Sequence, residues 1–172
     1  MNTLLIDGGG CLSFLDVIFN RASVRRYRKE PVPKEVLMNI LEAGRRAPSA
    51  MNAQPWHFIV VTDEKIKETL SHRRWTSFLK DAAFIIVGCG EKDKKWSTVD
   101  VAIALQNMVL AAEAQGVGSC WIGDFDESEV KNLLSIPNNL KIVALVSFGY
   151  PVEKPKPRPK KPLEQIVHYN KF

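Results

Sequence analysis

Residues 99–115 read VDVAIALQNMVLAAEAQ, a segment with the apolar spacing of a helix. At about 100° per residue, Asp100, Asn107 and Gln115 fall on one polar stripe, and Gln106 and Glu113 fall on another. Apolar side chains fill both gaps between these stripes. A surface helix normally buries one face, whereas this helix needs cover on two sides. Either it is the central core helix of one chain, or it packs on its own sheet and on a partner subunit.

Three apolar segments around this helix have the character of strands. They are HFIVV at 57–61, FIIVGCG at 84–90 and IVALVSFGY at 142–150. Their apolar character is continuous rather than alternating, which is typical of a sheet covered on both faces.

Further helices are predicted on either side of these strands. Residues 14–20 read as a short helix, and a second pattern begins at Pro33 and ends before Pro48. Thr62 or Asp63 can cap a third helix after the first strand.

The C-terminal region divides into two parts. The proline-rich segment PVEKPKPRPKKP at 151–162 is expected to run extended. The last ten residues, 163–172, carry apolar side chains that a free tail rarely has, and we expect them to be docked. These side chains are Leu163, Ile166, Val167 and Phe172.

Length and composition are those of an ordinary globular protein. The chain has 172 residues, of which 45% are hydrophobic and 25% charged, and this suits one domain. The first residues lack the basic start of a signal peptide, so we expect a leader at 1–12, a single domain at 13–172 and a cytoplasmic location. Three cysteines (Cys11, Cys89 and Cys120), widely spaced and odd in number, argue against a disulfide framework or a zinc site.

The net charge of +5 is concentrated in two clusters. They comprise Arg21, Arg25, Arg26, Arg28 and Lys29 near the start, and Lys154, Lys156, Arg158, Lys160 and Lys161 in the proline-rich segment. Two short clusters suit a single phosphate better than a long polyanion, which requires a stripe of charge. A basic module for nucleic acid is nevertheless an alternative that the charge leaves open.

Common catalytic and nucleotide-binding motifs are missing. There is no GxxxxGK[ST] loop, and VGCGEKD has Asp93 where the third glycine of GxGxxG would stand. The three histidines lack metal-ligand spacing, and no GxSxG elbow or catalytic triad can be placed.

Four segments, in order, resemble the nitroreductase family. They are RASVRRY at 21–27, APSAMNAQPWHFIVV at 47–61, VAIALQNMVLAAEAQGVGSCWIG at 101–123, and FGYP with the arm that follows it, at 148–172. The short chain is similar to the compact branch of that family. The resemblance implies an α+β fold: a three-layer α/β/α sandwich with a mixed, mostly antiparallel sheet, in an intertwined homodimer with FMN at the interface.

The basic segment suits the 5′-phosphate of FMN. Arg21 and Arg25 can present fork-shaped donors, and the Ser23 hydroxyl can add another. The resemblance also implies contacts from Ala22, and from two residues of the arm that close over the phosphate, Arg158 and Lys160. Arg26, Arg28 and the other lysines of the arm are expected to be solvated.

The loop at 47–56 and the glycine-rich turn are expected to contact the flavin ring. Asn52 offers an amide donor and acceptor, and Pro48 and Ser49 shape the loop around it. In the family this loop contacts the flavin of the partner subunit. Ile122 and Gly123 match positions whose backbone lies against the ring, with the Gly123 N–H donated to N5.

The resemblance implies a flavoenzyme that takes hydride from NADH or NADPH and reduces a nitroaromatic, quinone or similar flat acceptor by a ping-pong mechanism. Related flavin enzymes with other chemistry, such as dehalogenation or flavin breakdown, would share these motifs.

Cys120 is expected to be a buried small apolar residue rather than a redox group. The positive charge near flavin N1 and O2 could come from Arg73, Arg74 or Lys80, and the sequence does not decide between them.

Overall fold

The computed structural model describes residues 13–172, and the leader expected at 1–12 lies outside them. The helices are α1 (Phe14–Asn20), α2 (Lys34–Arg45), α3 (Glu64–Leu70), α4 (Ser97–Ala114) and α5 (Glu127–Leu134). The strands are β1 (Trp56–Val61), β2 (Phe84–Glu91), β3 (Gly118–Ile122) and β4 (Leu140–Gly149). Short 3-10 turns lie at Ala50–Asn52, Ser77–Asp81 and Leu163–Gln165.

Several predicted helix boundaries are confirmed by their caps. The helix predicted at 14–20 is α1, and Ser13 caps it by accepting the Asp16 N–H. Asp63 caps α3, with its carboxylate accepting the N–H of Ile66 at 2.9 Å. Pro33 precedes the first residue of α2, where its missing N–H costs no helical hydrogen bond.

The four strands form one sheet in the order β1-β2-β4-β3, and each neighbouring pair is antiparallel. The parallel component is a single bridge between Ser23 and Ser119, at the outer edge of β3. The prediction of a glycine-rich turn in GVGSCWIG, residues 116–123, was wrong for five of its eight residues, because Gly118–Ile122 is a strand. Small residues at its beginning mask its strand character in the sequence, and pairing with β4 stabilises it.

Both faces of the sheet are covered, which confirms the α+β three-layer architecture. The two core clusters lie on opposite sides of β2: Ile85 and Val87 belong to one, whereas Phe84 and Ile86 belong to the other. Helices α2 and α4 supply the second cluster, while α3 and α5 contribute to the first. The continuous apolar runs in β2 and β4 follow from this double cover.

One polar stripe of helix α4 packs against its own chain. Asp100 accepts the N–H of Ala50 at 3.3 Å, the Asn107 amide donates to the Ala43 carbonyl at 3.3 Å, and Gln115 accepts from α2. The first polar stripe therefore faces α2 and the loop that follows it. On this side α4 is a core helix of one chain, whereas its other side leaves Val99 and Ile103 exposed.

The C-terminal arm is anchored near its beginning. The Lys154 ammonium lies 2.7 Å from the buried carboxylate of Glu113, so this lysine, expected to be solvated, is 55% exposed but also paired. Nearby, the Val152 N–H donates to the Arg26 carbonyl at 3.0 Å. The arm beyond residue 154 has no regular structure up to Pro162, as its prolines predict.

The tail is not docked on the surface of its own chain. The apolar side chains of the tail are exposed, because the anchoring contacts end before them. They include Leu163, Ile166, Val167 and Phe172.

No helix among residues 13–172 combines the length and the apolar character needed to cross a membrane.

Candidate functional site

A groove of about 540 Å³ lies between the C-terminal end of α1 with the segment that follows it and the C-terminal arm. It is lined by six residues of the expected phosphate site, namely Arg21, Ala22, Ser23, Arg25, Arg158 and Lys160. The first four follow α1 directly, and the last two lie in the extended arm. Folding thus brings together cations that are more than 130 residues apart in the sequence.

The segment 21–25 is held against the sheet by its backbone. The N–H of Val24 donates to the Ser119 carbonyl at 2.9 Å, beside the bridge between Ser23 and Ser119. Gly118 permits this approach, since a Cβ there would lie 2.5 Å from Cγ2 of Val24. Gly118 therefore helps to position the segment that carries Arg21 and Arg25.

A second cavity, of about 630 Å³, lies beside the groove and shares two lining residues with it. Its lining comes from the end of β3 and the residues after it, 120–124, and from the segment that precedes β2. Arg25 and Arg158 line both spaces. We call the second space the ring cavity, because it adjoins the cationic groove and has the expected ring contacts, Ile122 and Gly123, in its wall.

The wall at Gly123 faces open space. A Cβ added at this glycine would meet no heavy atom within 4 Å, so packing within this chain does not require glycine there. Ile122, in contrast, is buried and belongs to the core on one face of the sheet. The strand end is therefore rigid on its inner side, and its outer side is accessible to a flat ligand.

The ring cavity is electropositive, with Arg25, Arg74 and Arg158 in its lining and Asp124 opposing them. Cys120 also lines it, and burial raises the pKa of this thiol, although the neighbouring Arg25 acts in the opposite direction. The thiol is therefore neutral at neutral pH, where a neutral cysteine is a poor nucleophile.

The loop with Pro48, Ser49 and Asn52 lies outside both spaces. The Ser49 hydroxyl accepts the N–H of Gln54 at 2.9 Å, which closes the loop on itself. Asn52 is exposed, with a φ of 56° in the left-handed region that asparagine tolerates better than most residues. Within one chain, the structure does not bring these three residues to the other expected site residues.

The three candidates for a cation near the flavin pyrimidine lie in different places. Arg74 lines the ring cavity. Arg73 lines a neighbouring cavity that shares Ile122 and Asp124 with the ring cavity, and it lies 3.7 Å from Asp124 and 3.5 Å from Glu129. Lys80 lines a distant groove with Lys29 and Glu64, among other residues.

The aromatic lining of the ring cavity, formed by Trp75, Phe78 and Trp121, is not predicted by any sequence motif. Trp75 belongs to HRRWTSF, a polar segment in which a tryptophan has no helical or strand pattern to explain it. A lone tryptophan in such a segment was the one indication in the sequence that Trp75 could line a site. The groove is also lined by Ile18 and Phe19 of α1 and by Lys156, whose contribution no sequence pattern indicated.

Comparison with known proteins agrees with this architecture. The sequence profile of the nitroreductase family matches residues 18–79 and 69–150. An iodotyrosine deiodinase of Thermotoga neapolitana is 35% identical, over 91% of this chain and 97% of its own length. An NADH dehydrogenase of Thermus thermophilus is 34% identical, over 86% of this chain and 91% of its own.

Among solved structures, an FMN-dependent nitroreductase from Clostridium difficile R20291 superimposes with a TM-score of 0.84. It is 30% identical, and the match covers 92% of this chain and 99% of that one. The fold, the profile match and the near-complete coverage of these relatives agree, and the chain belongs to the nitroreductase family.

Proposed function

We propose that the chain binds FMN and transfers electrons from NADH or NADPH to a small flat acceptor such as a nitroaromatic or a quinone. One observation carries the proposal: a cationic groove and a wider cavity with an open backbone wall adjoin each other and share Arg25 and Arg158. A ligand with a phosphate at one end and a flat ring at the other matches this pair of spaces. When bound, FMN would supply hydride transfer at N5, first from the nicotinamide and then to the acceptor.

The groove would hold the phosphate. Arg21 and Arg25 supply planar guanidinium donors, and Ser23 supplies a hydroxyl from the same segment. Arg158 and Lys160 close the groove from the arm, which Lys154 ties to α4 through Glu113. Ala22 is buried, so its contribution would come from its backbone.

The end of β3 would support the ring. Ile122 fixes the strand end in the core, and the Gly123 N–H would be a donor to N5, where negative charge develops on reduction. No side chain needs to act as a proton donor for this role.

We assign the positive charge near flavin N1 and O2 to Arg74. Of the three candidates it is the one that lines the ring cavity. Arg73 is engaged by two carboxylates, and Lys80 lies in another groove.

A homodimer would complete the site. Pro48, Ser49 and Asn52 lie away from the groove of their own chain, so they would contact the flavin held by a partner subunit. Exposed apolar side chains on three elements support such an interface. They are Phe14, Leu15, Ile18 and Phe19 of α1, Val99 and Ile103 of α4, and Leu163, Ile166, Val167, Tyr169 and Phe172 of the tail.

Reductive dehalogenation is a second candidate function. It is favoured by the similarity to the iodotyrosine deiodinase of Thermotoga neapolitana, which extends over 97% of that relative. The same cavity could accept a halogenated aromatic ring in place of a quinone, because the chemistry of either reaction belongs to the reduced flavin.

One experiment distinguishes the two candidate functions. The FMN-loaded protein is reduced without oxygen, mixed with either a nitroaromatic, a quinone or an iodinated phenol, and flavin reoxidation is followed in the visible range. The proposed function predicts fast reoxidation by the nitroaromatic and the quinone, with no iodide released from the phenol. Stoichiometric iodide release together with slow quinone turnover would instead establish the second candidate.

A further inference from the structure

The three aromatic side chains of the ring cavity differ in what else they contact. Phe78 and Trp121 are half-buried and pack against the two core clusters, one on each face of the sheet. Trp75 is 68% exposed, although it lines the same cavity. A large aromatic side chain that the core does not use, at a cavity suited to a flat ring, is available to a ligand.

One face of the Trp75 ring is occupied by a neighbour. The Arg74 guanidinium carbon lies 4.9 Å from the centroid of the ring, within the range of a cation–π contact. This contact limits the orientations that the indole can adopt, and the exposure of the side chain leaves ring surface for a stacking partner. Preorganisation of this kind lowers the entropy that a stacking partner would otherwise lose.

We propose that Trp75 is a specificity-determining residue, whose exposed ring surface stacks on the flat electron acceptor in the ring cavity. The inference rests on the proposed function and adds the residue that selects a flat acceptor over one without a ring. Indole is an electron-rich ring, and offset stacking favours a flat, electron-poor partner such as a quinone or a nitroaromatic. An acceptor without a ring gains nothing from this surface.

The test compares two acceptors in steady-state kinetics of the FMN-loaded protein with saturating NADH or NADPH. Menadione is flat and aromatic, whereas ferricyanide has no ring that can stack. In Trp75→Ala we expect the KM for menadione to rise about five- to tenfold, with kcat and both ferricyanide constants within about twofold of the unchanged protein. Trp75→Phe retains a stacking surface and should recover most of the menadione KM.

Trp96→Ala is the matched control. Trp96 is also an exposed tryptophan, 52% exposed, with the Lys95 ammonium 5.9 Å from its ring centroid, but it does not line the ring cavity. Its removal should leave the constants for menadione and ferricyanide unchanged. The visible flavin spectrum and the elution volume of each variant show that the cofactor and the assembly are retained.

An unchanged menadione KM in Trp75→Ala, or an equal rise for ferricyanide, overturns the role of Trp75 while the proposed function stands. Failure of Trp75→Phe to recover the KM overturns it as well, because a stacking role is shared by phenylalanine. A protein that takes up no FMN overturns this inference together with the proposed function.

Discussion

Arg21 is the residue on which the phosphate assignment depends most directly. Replacing it by alanine removes a charge-assisted hydrogen bond worth about 1.5 to 3 kcal/mol, so the Kd for FMN should rise about tenfold or more. Flavin fluorescence quenching during titration of the FMN-free protein measures the change.

Arg28→Ala is the control for this substitution. Arg28 lies in the same basic segment but pairs with Glu30 at 3.3 Å and does not line the groove. Its replacement should leave the Kd unchanged. Equal FMN affinity in Arg21→Ala and the unaltered protein would contradict the phosphate role of Arg21.

Substitution of Cys120 tests whether a protein thiol takes part in the redox cycle. Burial raises the pKa of this thiol, so the neutral form dominates at neutral pH and the group acts as a small apolar side chain. Cys120→Ala should therefore retain kcat within about twofold under saturating acceptor. Loss of turnover in a variant that still shows the full flavin spectrum would establish a redox role.

At the scale of elements, the edge of β3 positions both halves of the site. A side chain at Gly118 would collide with Val24, so Gly118→Ala should lower the free energy of unfolding by about 1 to 3 kcal/mol and weaken FMN binding. Denaturant unfolding of the FMN-free protein measures the first effect, and FMN titration measures the second. An unaltered unfolding midpoint would show that segment 21–25 does not need this close approach.

The substitution Gly123→Ala distinguishes an effect on the contact with the flavin ring from an effect on the stability of the fold. Because a Cβ at Gly123 meets nothing in this chain, the variant should unfold at the same denaturant concentration as the parent. Its FMN affinity should nevertheless fall, since the added methyl group would occupy space that we assign to the flavin. An undiminished FMN affinity would contradict the assignment of the flavin ring to the wall of the cavity at Gly123.

The elements differ in how far their sequence alone determines them. Apolar runs and caps such as Asp63 are local signals, and they located β1, β2, β4 and the beginning of α3. The first residues of β3, Gly118 and Ser119, carry no local strand signal, and β4 and segment 21–25 pair with the two edges of this strand. Such long-range pairing is invisible in a local pattern.

The site was predictable where a motif marked it. The arginines at 21 and 25 and the turn at 122–123 were named from the resemblance, and the structure brings them to adjoining spaces. The aromatic lining could not be named, because Trp75 sits in a segment without periodicity and only the tertiary fold places it beside Gly123. The pairing of Lys154 with Glu113 was hidden for the same reason.

At the scale of the whole molecule, we propose that exposed apolar side chains form a homodimer interface, and a substitution in that interface tests the proposal. Ile103 lies on the outer face of α4 and is 37% exposed. Ile103→Glu would place a charge in the interface, where an unpaired charge costs several kcal/mol. We expect a shift from dimer to monomer in analytical ultracentrifugation, with loss of FMN because Asn52 would no longer reach a partner's flavin.

Met38→Glu controls for the effect of charge on a helix surface. Met38 lies on α2 and is 53% exposed, and we place it outside the interface. This variant should sediment as the unaltered protein does. A monomeric parent protein, or an Ile103→Glu variant that remains dimeric, would contradict the interface that we propose.

The visible absorption spectrum of the purified protein, recorded without oxygen before and after addition of NADH or NADPH, tests the central proposal most directly. The account predicts a flavin spectrum, or its appearance after FMN is added, that bleaches with one of the two nicotinamides. A flavin that stays oxidised would keep the cofactor but contradict the proposed electron donor. A protein that stays colourless and takes up no FMN would contradict the account and favour the basic nucleic-acid-binding alternative.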